Sequence, residues 1–158
     1  MRVLFIVIIL VVCQSVSAQQ ERDTVLRRCP VFITDTVSGN NFFIEGLPAT
    51  LKVYRVKGEL TIQFQQKEQF FSLFFHDKKL KNTKYKIEAG SNKNSEVEVS
   101  YSFKSGEQVS FIAVSKGTVE TVFDNDKNMW RIKVNGLIGN MIERTVTYYR
   151  VRVDFYIK

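Results

Sequence analysis

A chain of 158 residues, 44% hydrophobic and 25% charged, has the size and apolar content for one globular domain with a single core, which excludes a disordered polyelectrolyte. Lys and Arg outnumber Asp and Glu 23 to 16, a formal charge of +7 that favours anionic partners over cationic ones. Two cysteines and one histidine leave no material for a multi-histidine or thiolate metal site, so no metal and no cofactor is expected.

In chain order, Met1-Arg2 precedes an unbroken apolar run over residues 3–13, and Val16-Ser17-Ala18 leads into Gln19-Gln20-Glu21-Arg22-Asp23. A short basic start, an apolar centre and small residues before a polar stretch predict a secretory signal peptide over residues 1–18, cleaved after Ala18. The apolar run falls short of the roughly 20 residues a membrane span needs, and no later segment approaches that length, so no transmembrane segment is expected. The expected location is therefore extracellular. Cys13 would leave with the leader, which makes Cys29 the lone thiol of the mature chain, free or in an intermolecular disulfide. No Asn-x-Ser/Thr sequon occurs.

Residues 19–30 read as a polar, frayed lead-in to a domain over residues 31–158. From there apolar and polar residues alternate, interrupted by turn residues roughly every 8–12 positions. Strands are predicted at 31–34, 42–44, 51–56, 59–65, 70–75, 84–88, 96–103, 109–114, 118–123, 130–135 and 147–157. The last is the clearest: Thr147, Tyr149, Val151, Val153, Phe155 and Ile157 share one face, and Tyr148, Arg150, Arg152, Asp154 and Tyr156 the other. Gly39-Asn40-Asn41, Lys57-Gly58, Ser105-Gly106, Lys116-Gly117 and Asn135-Gly136 supply turn chemistry between strands. The fold class expected is all-β, a two-sheet antiparallel β-sandwich of jelly-roll type, because two sheets must cover each other's apolar faces. Trp130 alternates with Ile132 and Val134 and reads as core.

Few parts of an enzyme are present. His76, in Phe74-Phe75-His76-Asp77-Lys78, reads as a solvated strand-end side chain; no nucleophile elbow accompanies it, and Cys29 lies beside Pro30. Glu96 and Glu98 read as a solvent-facing row, unlike the two carboxylates that face each other across a glycosidase cleft. A non-enzymatic binding role is expected. Lys78, Lys79, Lys81, Lys84 and Lys86 form one candidate polyanion site. Arg150 and Arg152, between Tyr148 and Tyr156 with Arg144 upstream, form a face suited to sulfate, phosphate or a sugar ring.

Several of these segments resemble the galectin-type lectin domain. Leu60-Thr61-Ile62-Gln63-Phe64 is similar to that family's Phe-x-Val-Asn-Leu strand, and the run from Phe71 through Lys78 to its Ile-Ala-Leu-His-Phe-Asn-Pro-Arg strand. Phe103-Lys104-Ser105-Gly106 is similar to its Phe-x-x-Gly, and Ile132-Lys133-Val134-Asn135-Gly136 to its Val-Asn-Gly hairpin. The resemblance implies a jelly-roll sandwich with a sugar groove lined by Gln63, Phe74, His76, Lys78, Asn92 and Glu96. It also implies an altered or lost galactoside site. Phe74, His76 and Lys78 stand where the family has His, Asn and Arg, and Asn92 where it has its stacking Trp. Lys cannot reproduce the bidentate guanidinium fork. Separately, Tyr85-Lys86-Ile87-Glu88-Ala89-Gly90 with Asn92 and Ser95 faintly resembles the domain named after farnesoic acid methyltransferase. The partner expected is a glycan or another anionic extracellular ligand such as a sulfated glycan or phospholipid, and no nucleic acid.

Overall fold

The computed structural model describes residues 22–43, 46–88, 96–142 and 145–158. Among the described residues eleven strands follow in chain order: β1 (Arg22–Leu26), β2 (Val31–Asp35), β3 (Ala49–Val56), β4 (Glu59–Gln66), β5 (Gln69–Phe75), β6 (Thr83–Ile87), β7 (Glu96–Ser105), β8 (Gln108–Ala113), β9 (Lys116–Asp124), β10 (Met129–Ile142) and β11 (Thr145–Ile157). The fold is all-β. Among the described residues no helix is long and apolar enough to cross a membrane.

The strands join in one curled sheet of order β1-β3-β4-β5-β7-β6-β9-β10-β11-β2, with β8 on the remaining edge of β7. Every pairing is antiparallel except β6 with β7, which is parallel and only two residue pairs long, Lys86↔Glu96 and Ile87↔Val97. That short bridge divides the sheet into two antiparallel blocks: β1, β3, β4, β5, β7 and β8 on one side, β6, β9, β10, β11 and β2 on the other. Curling brings their inner faces together. Phe64 of β4 meets Phe155 of β11 edge to face, with ring centroids 4.8 Å apart. Period-2 alternation supplies the core: Ile62 and Phe64, Phe71, Leu73 and Phe75, Ile132 and Val134, Val151 and Val153 are all buried. Burying one such aromatic or branched side chain stabilises the fold by about 1.5–3 kcal/mol. Trp130 is partly buried against this core and packs on Phe123.

Turn chemistry fixes register where it was expected between β3 and β4. Lys57 (φ 52°) and Gly58 (φ 88°) both take positive φ, the two-residue turn whose twist matches that of its strands. Elsewhere the chain departs from the sequence reading. Asn135-Gly136 makes no turn; β10 runs straight through it, pairing Gly136 with Gly117 of β9. A Cβ on Gly117 would run into the Asn135 carbonyl oxygen, and one on Gly136 would lie 2.6 Å from a Val114 methyl. These glycines permit a close backbone approach. The stretch predicted as a strand at 42–44 bends instead at Phe42 and Phe43, since the Asn41 side chain accepts hydrogen bonds from the Ile33 and Phe43 amides; Ile44 lies outside the described residues. Part of the polar lead-in forms β1, which adds to the edge of β3 from Arg22↔Val53 to Leu26↔Ala49. Main-chain pairing on an edge needs no apolar side chain, and Asp23, Thr24 and Val25 remain exposed there. Cys29 follows, 1% exposed, its thiol pKa pushed up by burial, so it is a protonated core side chain.

Candidate functional site

The outer face of the first block carries most of the groove residues named by the galectin resemblance. Gln63 and Ser72 are opposite one another in the β4–β5 register, and the Gln63 amide donates to the Ser72 hydroxyl at 3.2 Å. Phe74 and His76 pack in a T-shaped pair, with centroids 4.9 Å apart and planes at 86°. The His76 side chain is only 8% exposed, which corrects its reading as solvated. Its Nδ1 lies 3.6 Å from a Glu59 oxygen and its Nε2 3.6 Å from a Glu98 oxygen, so the ring fills the space between two carboxylates. Glu96 is buried at 6% exposure, because β6 pairs alongside it through Lys86; the expected solvent-facing row therefore holds only for Glu98. Lys78 is exposed, its carbonyl accepting a hydrogen bond from the Arg55 guanidinium. Asn92 lies outside the described residues. The fold thus gathers Phe74, His76, Glu59 and Glu98, with Gln63 one row along.

Of the five lysines of the 78–86 segment, Lys81 and Lys86 have ion-pair partners among the described residues. Lys81 donates to both oxygens of Asp77, at 3.1 and 3.2 Å. Asp77 is nearly buried and also accepts from the Tyr85 hydroxyl at 3.4 Å; burial and that neighbouring negative charge push the Tyr85 pKa up. Lys86 is bonded to Glu88 at 2.7 Å, which raises its pKa, and Lys84 faces Glu120 across the β6–β9 pairing. Lys78 and Lys79 are exposed.

On the outer face of the second block, β10, β11 and β2 form a groove of about 590 Å³. Lys133 and Asn135 of β10, Arg150 and Arg152 of β11, and Phe32 and Thr34 of β2 line it. Register brings them together: Arg152 lies between Asn135 and Phe32, and Arg150 lies opposite Thr34. Two carboxylates also line the groove, and both are engaged. Asp154 accepts a two-pronged contact from Arg131, at 2.9 and 2.6 Å, which lowers its pKa. Asp35 accepts from the Val37 and Ser38 amides at 2.7 and 2.9 Å, which lowers its pKa too. Arg150 and Arg152 form no ion pair with a described residue, whereas Lys133 stands opposite Asp154 of β11 and Glu120 of β9 and helps to lower the Asp154 pKa. Three cations and the neutral Asn135 and Thr34 can together hold a sulfate or phosphate group and hydrogen-bond a hydroxylated frame around it.

Strand alternation pointed to Arg150 and Arg152, but Lys133, Asn135 and Thr34 escaped notice because only the pairing order places β10 and β2 on either side of β11. Among the described residues no three His, Cys, Asp or Glu side chains converge as metal ligands. Comparison with known proteins returned no matching family model, no matching curated protein and no matching solved structure.

Proposed function

We propose that this chain is a secreted, non-catalytic binding module for sulfated glycans, and that the β2–β10–β11 groove is its recognition surface. The observation that carries this reading is the set of Lys133, Arg150 and Arg152 beside carboxylates already bound elsewhere. An anion entering there meets the Arg150 and Arg152 guanidinium groups, neither of which is in an ion pair with a described residue, while Lys133 stands opposite Asp154 and Glu120. At the 78–86 segment it would have to compete with Asp77 and Glu88 for Lys81 and Lys86. The finer description of the fold that fits this role is a galectin-like jelly roll, supported by the facing inner sides of the two antiparallel blocks. In this reading the ligand lies on the second block, and the altered galactoside groove of the first block is left without a sugar.

Retention on immobilised heparin tests the proposal, using protein collected from culture medium and checked by mass spectrometry for an N-terminus at Gln19. The unaltered protein should elute at higher salt than a neutral protein of similar size. Replacing Arg150 and Arg152 with alanine should lower the elution salt more than replacing Lys79 and Lys84, although both variants lose the same formal charge. Equal shifts would mean that net charge governs retention and that the groove is no site. Elution with the neutral control would end the reading altogether.

A further inference from the structure

Among the described residues, β1, β2 and β8 each pair with a single other strand and so leave an edge of the sheet open. Natural sheets guard such edges with charge, proline or a bulge. β1 carries Arg22 and Asp23, and β2 ends on Asp35. β8 carries neither a charge nor a proline, and it pairs with β7 without a bulge from Ser105↔Gln108 to Ser100↔Ala113. Its outward side chains are apolar: Val109 is 68% and Phe111 70% exposed, while Ile112 packs inward against the core. Their neighbours in β7 are Lys104 and Ser102, so no apolar residue of β7 stands beside either. The Val114 amide donates to the Val99 carbonyl at 2.8 Å, and antiparallel alternation then gives the β7 bonds to Ile112, Ser110 and Gln108. The amides and carbonyls of Val109 and Phe111 therefore point to the open side. That side closes beyond Ala113, where the Ser115 amide donates to the Leu137 carbonyl of β10 at 2.9 Å.

We infer that β8 is an interface between two copies of this chain, paired antiparallel about a two-fold axis with Ser110 opposite its own counterpart. That register sets Val109 of each copy opposite Phe111 of the other. It pairs the main-chain groups that β7 leaves free and forms an aromatic–β-branched contact on either side of the axis. A two-fold axis requires one patch to complement itself, and this strand does. The neighbouring register, with Phe111 opposite itself, would set Val109 against Ala113, at the end that β10 closes. Charge selects the same occupant. On a chain with a formal charge of +7, two copies meet with least repulsion along a strand that carries none, and an anionic partner finds no cation in it. One short edge covers a small area, so the dimer depends on concentration.

Sedimentation velocity of protein collected from culture medium, from about 1 µM to 1 mM, tests this. The unaltered protein should pass from monomer toward dimer across that range. Phe111→Lys should need at least about tenfold more protein for the same dimer fraction, with an unchanged unfolding midpoint because the side chain is exposed in the monomer. Ser110→Cys should give a disulfide-linked dimer under mild oxidation, since facing non-hydrogen-bonded residues bring their Cβ atoms within disulfide reach. The buried Cys29 does not compete, and Gln108→Cys, opposite Ile112 in this register, should not link. A monomer at every concentration would overturn the inference, as would a Phe111→Lys protein that dimerises like the unaltered one. Linkage through Gln108→Cys in place of Ser110→Cys, or assemblies that grow past the dimer, would overturn it in favour of β8 pairing with another edge such as β1.

Discussion

The outer faces of the two antiparallel blocks carry the same kinds of side chain and differ in how those side chains are partnered. On the first block charge is consumed internally: His76 lies between Glu59 and Glu98, and the Arg55 guanidinium is spent on the Gly58 and Lys78 carbonyls. On the second, the groove carboxylates Asp35 and Asp154 are the engaged groups, and Arg150 and Arg152 form no ion pair with a described residue. A count of lysines along the chain puts the binding surface at residues 78–86. Strand register instead gathers Arg150 and Arg152 with Asn135 and Thr34 in one groove across β10, β11 and β2. The difference shows that density of one sign in sequence is a poor guide to available charge, because Coulomb partners are chosen in space.

Breaking the contact that holds the faces back to back should have the largest effect. Phe64→Ala empties a fully buried position against Phe155 and should cost about 3–5 kcal/mol. Thermal unfolding followed by circular dichroism should show a midpoint lower by roughly 10–15 °C. A midpoint within a few degrees would mean that the two blocks do not depend on this layer.

An intermediate effect is expected on the first face. His76→Leu leaves Glu59 and Glu98 without the polar ring between them and should cost about 1–2 kcal/mol in a urea titration. Its elution from heparin should not change. A large loss of retention would place the first face in the binding surface and erase the contrast between the two.

The smallest effect belongs to the second face. Asp154 and Arg131 are both substantially exposed, so solvent screens their pairing and Asp154→Asn should cost less than about 1 kcal/mol. Since Arg131 lowers the Asp154 pKa, the stabilisation is full above the ordinary carboxylate range and is lost as the pH falls through the depressed value. The variant should therefore lie below the unaltered protein at neutral pH and converge with it in acid. The same substitution frees Arg131 beside the groove, so retention on heparin should rise slightly.

Much of the strand content was legible because burial on one side of a sheet imposes a period of two, and β11 shows it without interruption from Val151 to Ile157. The face holding Arg150 and Arg152 was legible for the same reason. Gly136 misled, since glycine signals a turn and a close approach of neighbouring atoms alike, and only the Val114 methyl against it distinguishes them. His76 misled because its two partners come from β7 and from the start of β4, both distant in sequence.

By itself the sequence determined an all-β chain, an aromatic-rich interior and the inward or outward direction of most strand residues, all of which follow from local alternation and the exclusion of apolar surface from water. Tertiary structure alone decided that a two-residue parallel bridge joins the blocks, that β1 recruits a polar lead-in to an edge, and which cations stay unpaired. Each of those depends on which strands become neighbours. Strand neighbourhood is set by long-range packing of the whole core, and no local pattern encodes it.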